Sequence, residues 1–146
     1  QLPARDGQPH GHIERSNKAP NCSYFTNWKN TDDTMTWPVE VLEEGNFEVE
    51  MYYTCPESLV GAEVELTLGE SQLRATIDTV NNPPRKGAEH DRVNRGTESL
   101  VKDFKPLKLG VVYLEKGKGE LTLRASQLPS QRGTLEMRLF MFRRVR

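Results

Sequence analysis

Cationic and amide side chains concentrate in one stretch of the chain, NNPPRKGAEHDRVNRG, which spans residues 81–96. A long stretch without a regular pattern is uncommon in a compact domain and is usually either functional or disordered. Its two prolines stiffen its start and its mixed charges can pair internally, so we expect an ordered loop. Ordered polar loops on a rigid scaffold are common binding sites. The candidate ligand-binding side chains here are Asn82, Arg85, His90, Arg92 and Arg95.

The arginines of this loop suit an anionic ligand, because the planar guanidinium offers two parallel N–H groups to a carboxylate or a sulfate. Sugar sites add exposed aromatic rings that pack on the apolar face of a sugar. The segment YFTNW supplies Tyr24 and Trp28 for that role. Together these residues predict binding of an acidic or sulfated glycan. Two alternatives stay open: the loop is a surface excursion held by its own charges, and Trp28 packs in the core.

Two groups of residues could bind metal ions. Asp32 and Asp33, in the segment NTDDT, offer the carboxylate oxygens that calcium prefers, and a structural calcium ion there is one prediction. The alternative is an ordinary turn, since Asp favours turns for local backbone reasons. His10 and His12 could bind zinc or copper. The favoured interpretation is a flexible arm, or an arm whose histidines hydrogen-bond to the rest of the domain.

The two cysteines, Cys22 and Cys55, do not form a zinc-binding spacing. Two interpretations remain. A disulfide would close a loop of about 33 residues and would stabilise an exported domain by roughly 3 to 4 kcal/mol. Free thiols would instead behave as small buried hydrophobic groups.

The composition excludes several functions. The 146 residues carry 20 Lys and Arg and 21 Asp and Glu, so the net charge of −1 provides no field that attracts nucleic acid. No apolar run approaches the roughly 20 residues that span a bilayer, so we expect no membrane insertion. No GxSxG motif is present, and His90 lies beside two carboxylates without a nucleophile. We therefore predict no enzymatic activity for this chain.

The hydrophobic pattern that must position these residues has a period of two, which is typical of strands with one buried face. It predicts an all-β fold, an antiparallel β-sandwich of the jelly-roll or galactose-binding-like type. Residues 31–146 should form the sandwich and residues 1–30 a polar arm that packs on it. The length fits a single domain overall.

Particular strands follow from the same alternation. DTMTWPVEV and FEVEMYYTC should pair as a first hairpin. AEVELTLG and ESQLRATIDTV should pair as a second hairpin around Gly69. The predicted inward residues are Leu107, Leu109, Val111 and Tyr113 in one later strand and Leu135, Met137, Leu139 and Met141 in the last strand.

The order of four segments resembles a known type of domain. ARDGQPHGHIERSNKAPNCSYFTNWKNTDDTMTWPVEV, FEVEMYYTCPES, NNPPRKGAEHDRV and ESLVKDFKPLKLG are together similar to the accessory domain at the carboxyl end of bacterial, planctomycete-type arylsulfatases. The resemblance covers nearly the whole chain. It is specific in the joint order of the segments, because each segment alone is a weak signal.

The resemblance implies a galactose-binding-like or carbohydrate-binding-module-like sandwich attached to a sulfatase. It also implies export, with a secreted or periplasmic location, a glycan as ligand, and a catalytic sulfatase domain in the same parent chain. The sulfatase nucleophile motif, Cys-x-Pro/Ala-x-Arg, is absent, because neither CSYFT nor CPESL fits it. We therefore expect a non-catalytic carbohydrate-binding module. The alternative is a structural domain that packs on the sulfatase domain and binds no glycan.

Overall fold

A computed structural model of the chain describes residues 1–16, 23–82 and 103–145, and strands dominate all three ranges. The alternation of apolar and polar residues gives each longer strand one buried face. The described strands are β1 (Leu2–Pro3), β2 (Gln8–His10), β3 (Glu14–Arg15), β4 (Phe25–Trp28), β5 (Thr34–Val41), β6 (Gly45–Thr54), β7 (Glu63–Leu68), β8 (Ser71–Thr76), β9 (Lys105–Leu114), β10 (Gly117–Gln127) and β11 (Leu135–Arg144).

The strands form two antiparallel sheets. The six-stranded sheet has the order β3-β4-β11-β6-β9, and β1 also pairs with β11. The five-stranded sheet has the order β2-β5-β10-β7-β8. The helices of the described ranges are two short 3-10 turns, Ala4–Asp6 and Glu57–Leu59, and none is long and apolar enough to cross a membrane. The predicted all-β antiparallel sandwich is confirmed.

The core lies between the sheets and is centred on Trp37. Its indole is fully buried and contacts Phe25 and Phe140 edge-on, with ring centroids 5.8 Å and 5.2 Å away. Its Nε1 donates a hydrogen bond to the carbonyl oxygen of Pro3 at 3.0 Å. Because β1 pairs with β11 and β2 pairs with β5, the first residues of the chain are part of both sheets.

The first predicted hairpin is wrong. β5 pairs with β2 and β10 in one sheet, whereas β6 pairs with β11 and β9 in the other. Alternation shows which face of each strand is buried, but it does not show which strands pair, because consecutive strands of a sandwich can lie in opposite sheets. The second hairpin is confirmed, since β7 and β8 pair directly and Gly69 lies in the turn with a φ of 58°.

Two β-bulges shift the buried face within a strand. In β11 the register shifts between Met137 and Leu139, so Phe140 becomes fully buried. In β9 the register shifts where the strand pairs with Val49 and Glu50. As in β11, this shift changes which residues of the second half of the strand face the core. The predictions for the first half of each strand hold, and those for the second half are wrong. Leu139, Met141, Val111 and Tyr113 are partly or largely exposed, whereas Phe142, Val112 and Leu114 pack on the core.

Cys55 carries a free thiol that is fully buried at the end of β6. Its Sγ donates a hydrogen bond to the carbonyl oxygen of Pro56 at 3.4 Å. Burial raises the pKa of this thiol to about 11. For Cys55 the structure therefore has the free thiol rather than the disulfide, and Cys22 lies outside the described residues.

The register of β11 leads to a prediction about the free energy of unfolding. Phe140→Ala should lower the free energy of unfolding by about 3 to 5 kcal/mol, because it leaves a cavity in the core. Leu139→Ala should cost less than about 1 kcal/mol, because that side chain lies outside the core. Urea denaturation of both variants checks this. A Leu139 variant as unstable as the Phe140 variant would contradict the described register.

The burial of Cys55 makes a prediction about its reactivity. The thiolate is the reactive form, and a pKa of about 11 leaves little of it at neutral pH. Iodoacetamide should therefore modify Cys55 slowly in the folded protein and rapidly in urea. Mass spectrometry of the peptide that contains Cys55 separates it from Cys22. Rapid modification without denaturant would show that the thiol is accessible.

Candidate functional site

The two ends of the sandwich carry different connections. At one end, which we call the loop end, lie residues 29–33, 55–62, 77–82, 103–104 and 128–134. At the other end, which we call the turn end, three short connections span residues 42–44, 69–70 and 115–116. The predicted site residues Trp28, Asp32, Asp33 and Asn82 belong to the loop end.

Asn81 fixes the chain where it leaves the sandwich toward residues 83–102. Its backbone forms a bridge with Cys55, with N–O distances of 2.7 and 2.9 Å. Its buried side-chain Nδ2 donates to the carbonyl oxygens of Tyr53 at 2.7 Å and Asp103 at 3.3 Å. Asn81 thus joins both stems of this segment to β6, and it leaves Asn82 exposed beside it. Sequence reasoning missed Asn81 as the anchor, because its type does not distinguish it from Asn82.

The cations predicted to bind the ligand follow Asn82 in the sequence. Arg85, His90, Arg92 and Arg95 lie outside the described residues. Of that set the structure describes Asn82, whose exposure suits contact with a ligand.

Tyr24 contacts Phe104, with ring centroids 5.2 Å apart and ring planes inclined by 56°. Tyr24 directly precedes β4 and Phe104 directly precedes β9, so β11 and β6 lie between their backbones. The two side chains therefore reach across β11 and β6 to contact each other. Tyr24 is only 4% exposed and has no open ring face for a sugar, which does not fit the stacking role predicted for it.

A buried carboxylate lies in the same part of the six-stranded sheet. Glu136, between the core residues Leu135 and Met137, is 4% exposed. Its Oε2 accepts a hydrogen bond from Thr26 Oγ1 at 2.5 Å, and its Oε1 accepts one from Thr54 Oγ1 at 3.0 Å. Both hydroxyls come from neighbouring strands, so the cluster ties β4, β11 and β6 together. The hydroxyl bonds offset the cost of burying this group.

Trp28 lies in the core at the loop end and is fully buried. Its backbone N–H donates to Thr134 Oγ1 at 2.7 Å, and its Nε1 has no hydrogen-bond partner among the described residues. A ring that stacks on a sugar needs an exposed face, which this ring lacks. The alternative interpretation, packing in the core, matches its position.

Asp33 is buried and bonded to the turn between β2 and β3. Its carboxylate accepts from His12 Nδ1 at 3.2 and 3.3 Å and from Asn30 Nδ2 at 3.4 Å. Gly11, with a φ of 80°, makes this contact possible, because a Cβ there would lie 2.0 Å from Asp33 Oδ1. Asp32 is exposed. No group of three or more His, Cys, Asp or Glu able to hold a metal occurs in the described ranges, and calcium at Asp32 and Asp33 stays a prediction.

Comparison with known proteins gives structural matches without sequence matches. No protein-family model matches the chain, and no curated protein matches it. The carbohydrate-binding module CBM6cm-2 from Cellvibrio mixtus lichenase 5A, in complex with cellotriose, has a TM-score of 0.65 at 10% identity, over 99% of this chain and 96% of that one. The C-terminal CBM6 of LamC, a marine laminarinase from Zobellia galactanivorans, has a TM-score of 0.63 at 11% identity, over 97% and 95%.

The same architecture occurs in a protein of another kind. The mosquito-larvicidal Cry4Aa toxin from Bacillus thuringiensis has a TM-score of 0.70 at 12% identity, over 99% of this chain and 23% of the toxin. Identities this low relate the chains by fold alone. The likeness therefore establishes the sandwich, and function has to be argued from the sites that it carries.

The anchor at Asn81 makes a testable prediction. Asn81→Ala should lower the free energy of unfolding by about 1 to 3 kcal/mol, because two carbonyl oxygens lose their donor. Asn82→Ala is the matched control and should change stability by less than about 0.5 kcal/mol, because its side chain is exposed. Thermal denaturation of both variants provides the measurement. Equal stability of the two would mean that Asn81 does not anchor the stems.

Proposed function

We propose that this chain is a non-catalytic carbohydrate-binding module. The observation that carries the proposal is the end-to-end match with isolated carbohydrate-binding modules, which covers 97–99% of this chain and 95–96% of theirs. The sequence adds the absence of a recognisable nucleophile motif and the cationic loop at residues 81–96. An exported location, secreted or periplasmic, and a sulfatase domain in the parent chain belong to the same proposal.

The ligand we propose at the loop end is an acidic or sulfated glycan. The rings of Tyr24 and Trp28 are buried, so affinity there has to come from polar and charged donors rather than from stacking. The donors are the exposed Asn82 and the cations Arg85, His90, Arg92 and Arg95 that follow it in the sequence. Guanidinium groups bind sulfates and carboxylates through paired hydrogen bonds. The anchored stems at Asn81 and Asp103 reduce the entropy lost when such a loop binds.

One specific observation favours the alternative, a domain that packs on the sulfatase domain. On β9, at the edge of the six-stranded sheet, two large side chains are exposed, with Val111 at 55% and Tyr113 at 45%. The outer face of the other sheet is polar by contrast. One row across its five strands consists of Gln8, Thr36, Thr122, Thr67 and Gln72. Exposed apolar side chains on one side of a domain are common at surfaces that contact another protein.

The proposal predicts the response of binding to single substitutions in the loop. Arg92→Ala should weaken binding of a sulfated galactan oligosaccharide by about 1.5 to 3 kcal/mol, the range of a charge-assisted hydrogen bond. Arg92→Lys should recover part of this loss, because it keeps the charge but not the fork. Added salt should weaken binding further. Isothermal titration calorimetry measures all three effects.

The desulfated oligosaccharide is the ligand control in this experiment, and circular dichroism confirms that each variant is folded. Equal affinity of the wild type and both variants would remove the loop from the site. No binding by the wild type to either oligosaccharide would favour the packing domain instead.

A further inference from the structure

The turn end carries a cleft that the loop-end proposal does not use. The edge strands β8 and β9 belong to different sheets and approach each other there. Between the turn at residues 69–70 and the connection at residues 115–116 they leave a cleft of about 500 Å³. This volume falls within the range of roughly 300 to 1,000 Å³ that is usual for ligand pockets.

Tyr113 is an exposed aromatic side chain at this cleft, and it is held in place. Its residue is 45% exposed, and its hydroxyl donates a hydrogen bond to Glu44 Oε2 at 2.5 Å. Its carbonyl oxygen accepts a hydrogen bond from Ser71 Oγ at 2.7 Å. Its backbone pairs with Asn46 of β6. A ring fixed in this way loses little conformational entropy when a ligand packs against it.

Four charged side chains line the cleft, and no ion pair or hydrogen bond among the described residues engages them. They are Glu70, Glu115, Lys116 and Lys118. The two carboxylates are hydrogen-bond acceptors and the two ammonium groups are donors. Their formal charges cancel, so the cleft favours neither a strongly anionic nor a cationic ligand. Their types suit a neutral ligand with many hydroxyl groups, which both donate and accept.

Two glycines line the cleft in backbone conformations that favour glycine. Gly69 and Gly117 have φ values of 58° and 135°, which side chains rarely adopt, and a Cβ at either would meet nothing within 4 Å. Leu68 and Leu114 add apolar surface, which they share with an adjoining cleft of about 450 Å³ between the sheets. The cleft at the turn end thus combines a fixed aromatic side chain, apolar carbon atoms and charged groups that have no partner in the described ranges. This is the combination that a sugar ring needs.

We infer that the turn-end cleft is a second binding site, specific for a neutral oligosaccharide, and this inference rests on the proposed carbohydrate-binding function. The strand β10 runs from one end of the sandwich to the other in 11 residues, so the two sites lie roughly 35 Å apart. They cannot contact the same sugar residue. They can bind one polysaccharide at two points, which raises the effective affinity, or they can bind two separate chains at once.

The test follows backbone amide signals in NMR spectra while cellotriose, a neutral oligosaccharide, is added to the protein. Signals of Ser71, Glu115 and Gly119 should shift in the wild type. Tyr113→Ala should weaken cellotriose binding roughly tenfold, because it removes the aromatic surface. Val111→Ala is the matched control, since Val111 is exposed two residues earlier on β9 and does not line the cleft. It should leave cellotriose binding unchanged.

Two further variants test the contributions of the Tyr113 hydroxyl and the Glu70 carboxylate separately. Tyr113→Phe keeps the ring and loses the bond to Glu44, so it should bind more weakly than wild type and more strongly than Tyr113→Ala. Glu70→Gln should weaken cellotriose binding without changing the fold, because Glu70 is exposed. Dispersed amide signals in each spectrum report that the variant is folded.

The outcomes distinguish this inference from the proposed function. Shifts confined to the loop end, or equal affinity of wild type and Tyr113→Ala, would overturn the turn-end site and leave the binding function standing. Binding of the sulfated galactan oligosaccharide without any response to cellotriose would also overturn the turn-end site and leave the binding function standing. No response to cellotriose, laminarin or the sulfated oligosaccharide would overturn both.

Discussion

The packing of Trp37 against the amino-terminal segment holds the two sheets together. Its indole donates to the Pro3 carbonyl oxygen, and a Cβ on Gly7 would lie 2.6 Å from the indole, so the chain passes directly over the ring. Arg15 fastens the same segment by donating to the carbonyl oxygens of Ala4 and Gly7. Residues 1–16 therefore complete the core. Without them, Trp37 would lose its hydrogen-bond acceptor and one wall of its site.

The fold class was predictable because alternation is a local property. Each residue of β10 from Leu121 to Ala125 lies on the face that its position in the sequence indicates. The bulges in β9 and β11 were not predictable in the same way. A bulge depends on how a strand pairs with its neighbour, and the sequence around Leu139 reads equally well without one. The choice of partner for β5 and β6 likewise depends on contacts between distant parts of the chain.

The candidate site was likewise only partly predictable from the sequence. Residue types alone indicated a sugar site with aromatic rings, but they do not distinguish an exposed ring from a buried one. Trp28 pairs with Leu135 across β4 and β11, and that pairing places its ring in the core. In the same way, alternation alone predicts that Tyr113 points into the core, and the bulge in β9 exposes it. The feature that moved this ring out of the core is also what makes it available to a ligand.

The burial of the Cys55 thiol has a consequence for the loop end in reducing and oxidising environments. Oxidation and disulfide exchange both proceed through the thiolate, which burial suppresses in this residue. The bridge between Cys55 and Asn81 is made by backbone groups and needs no covalent bond. The stems of the segment at residues 83–102 are therefore held equally well in a reducing and in an oxidising compartment.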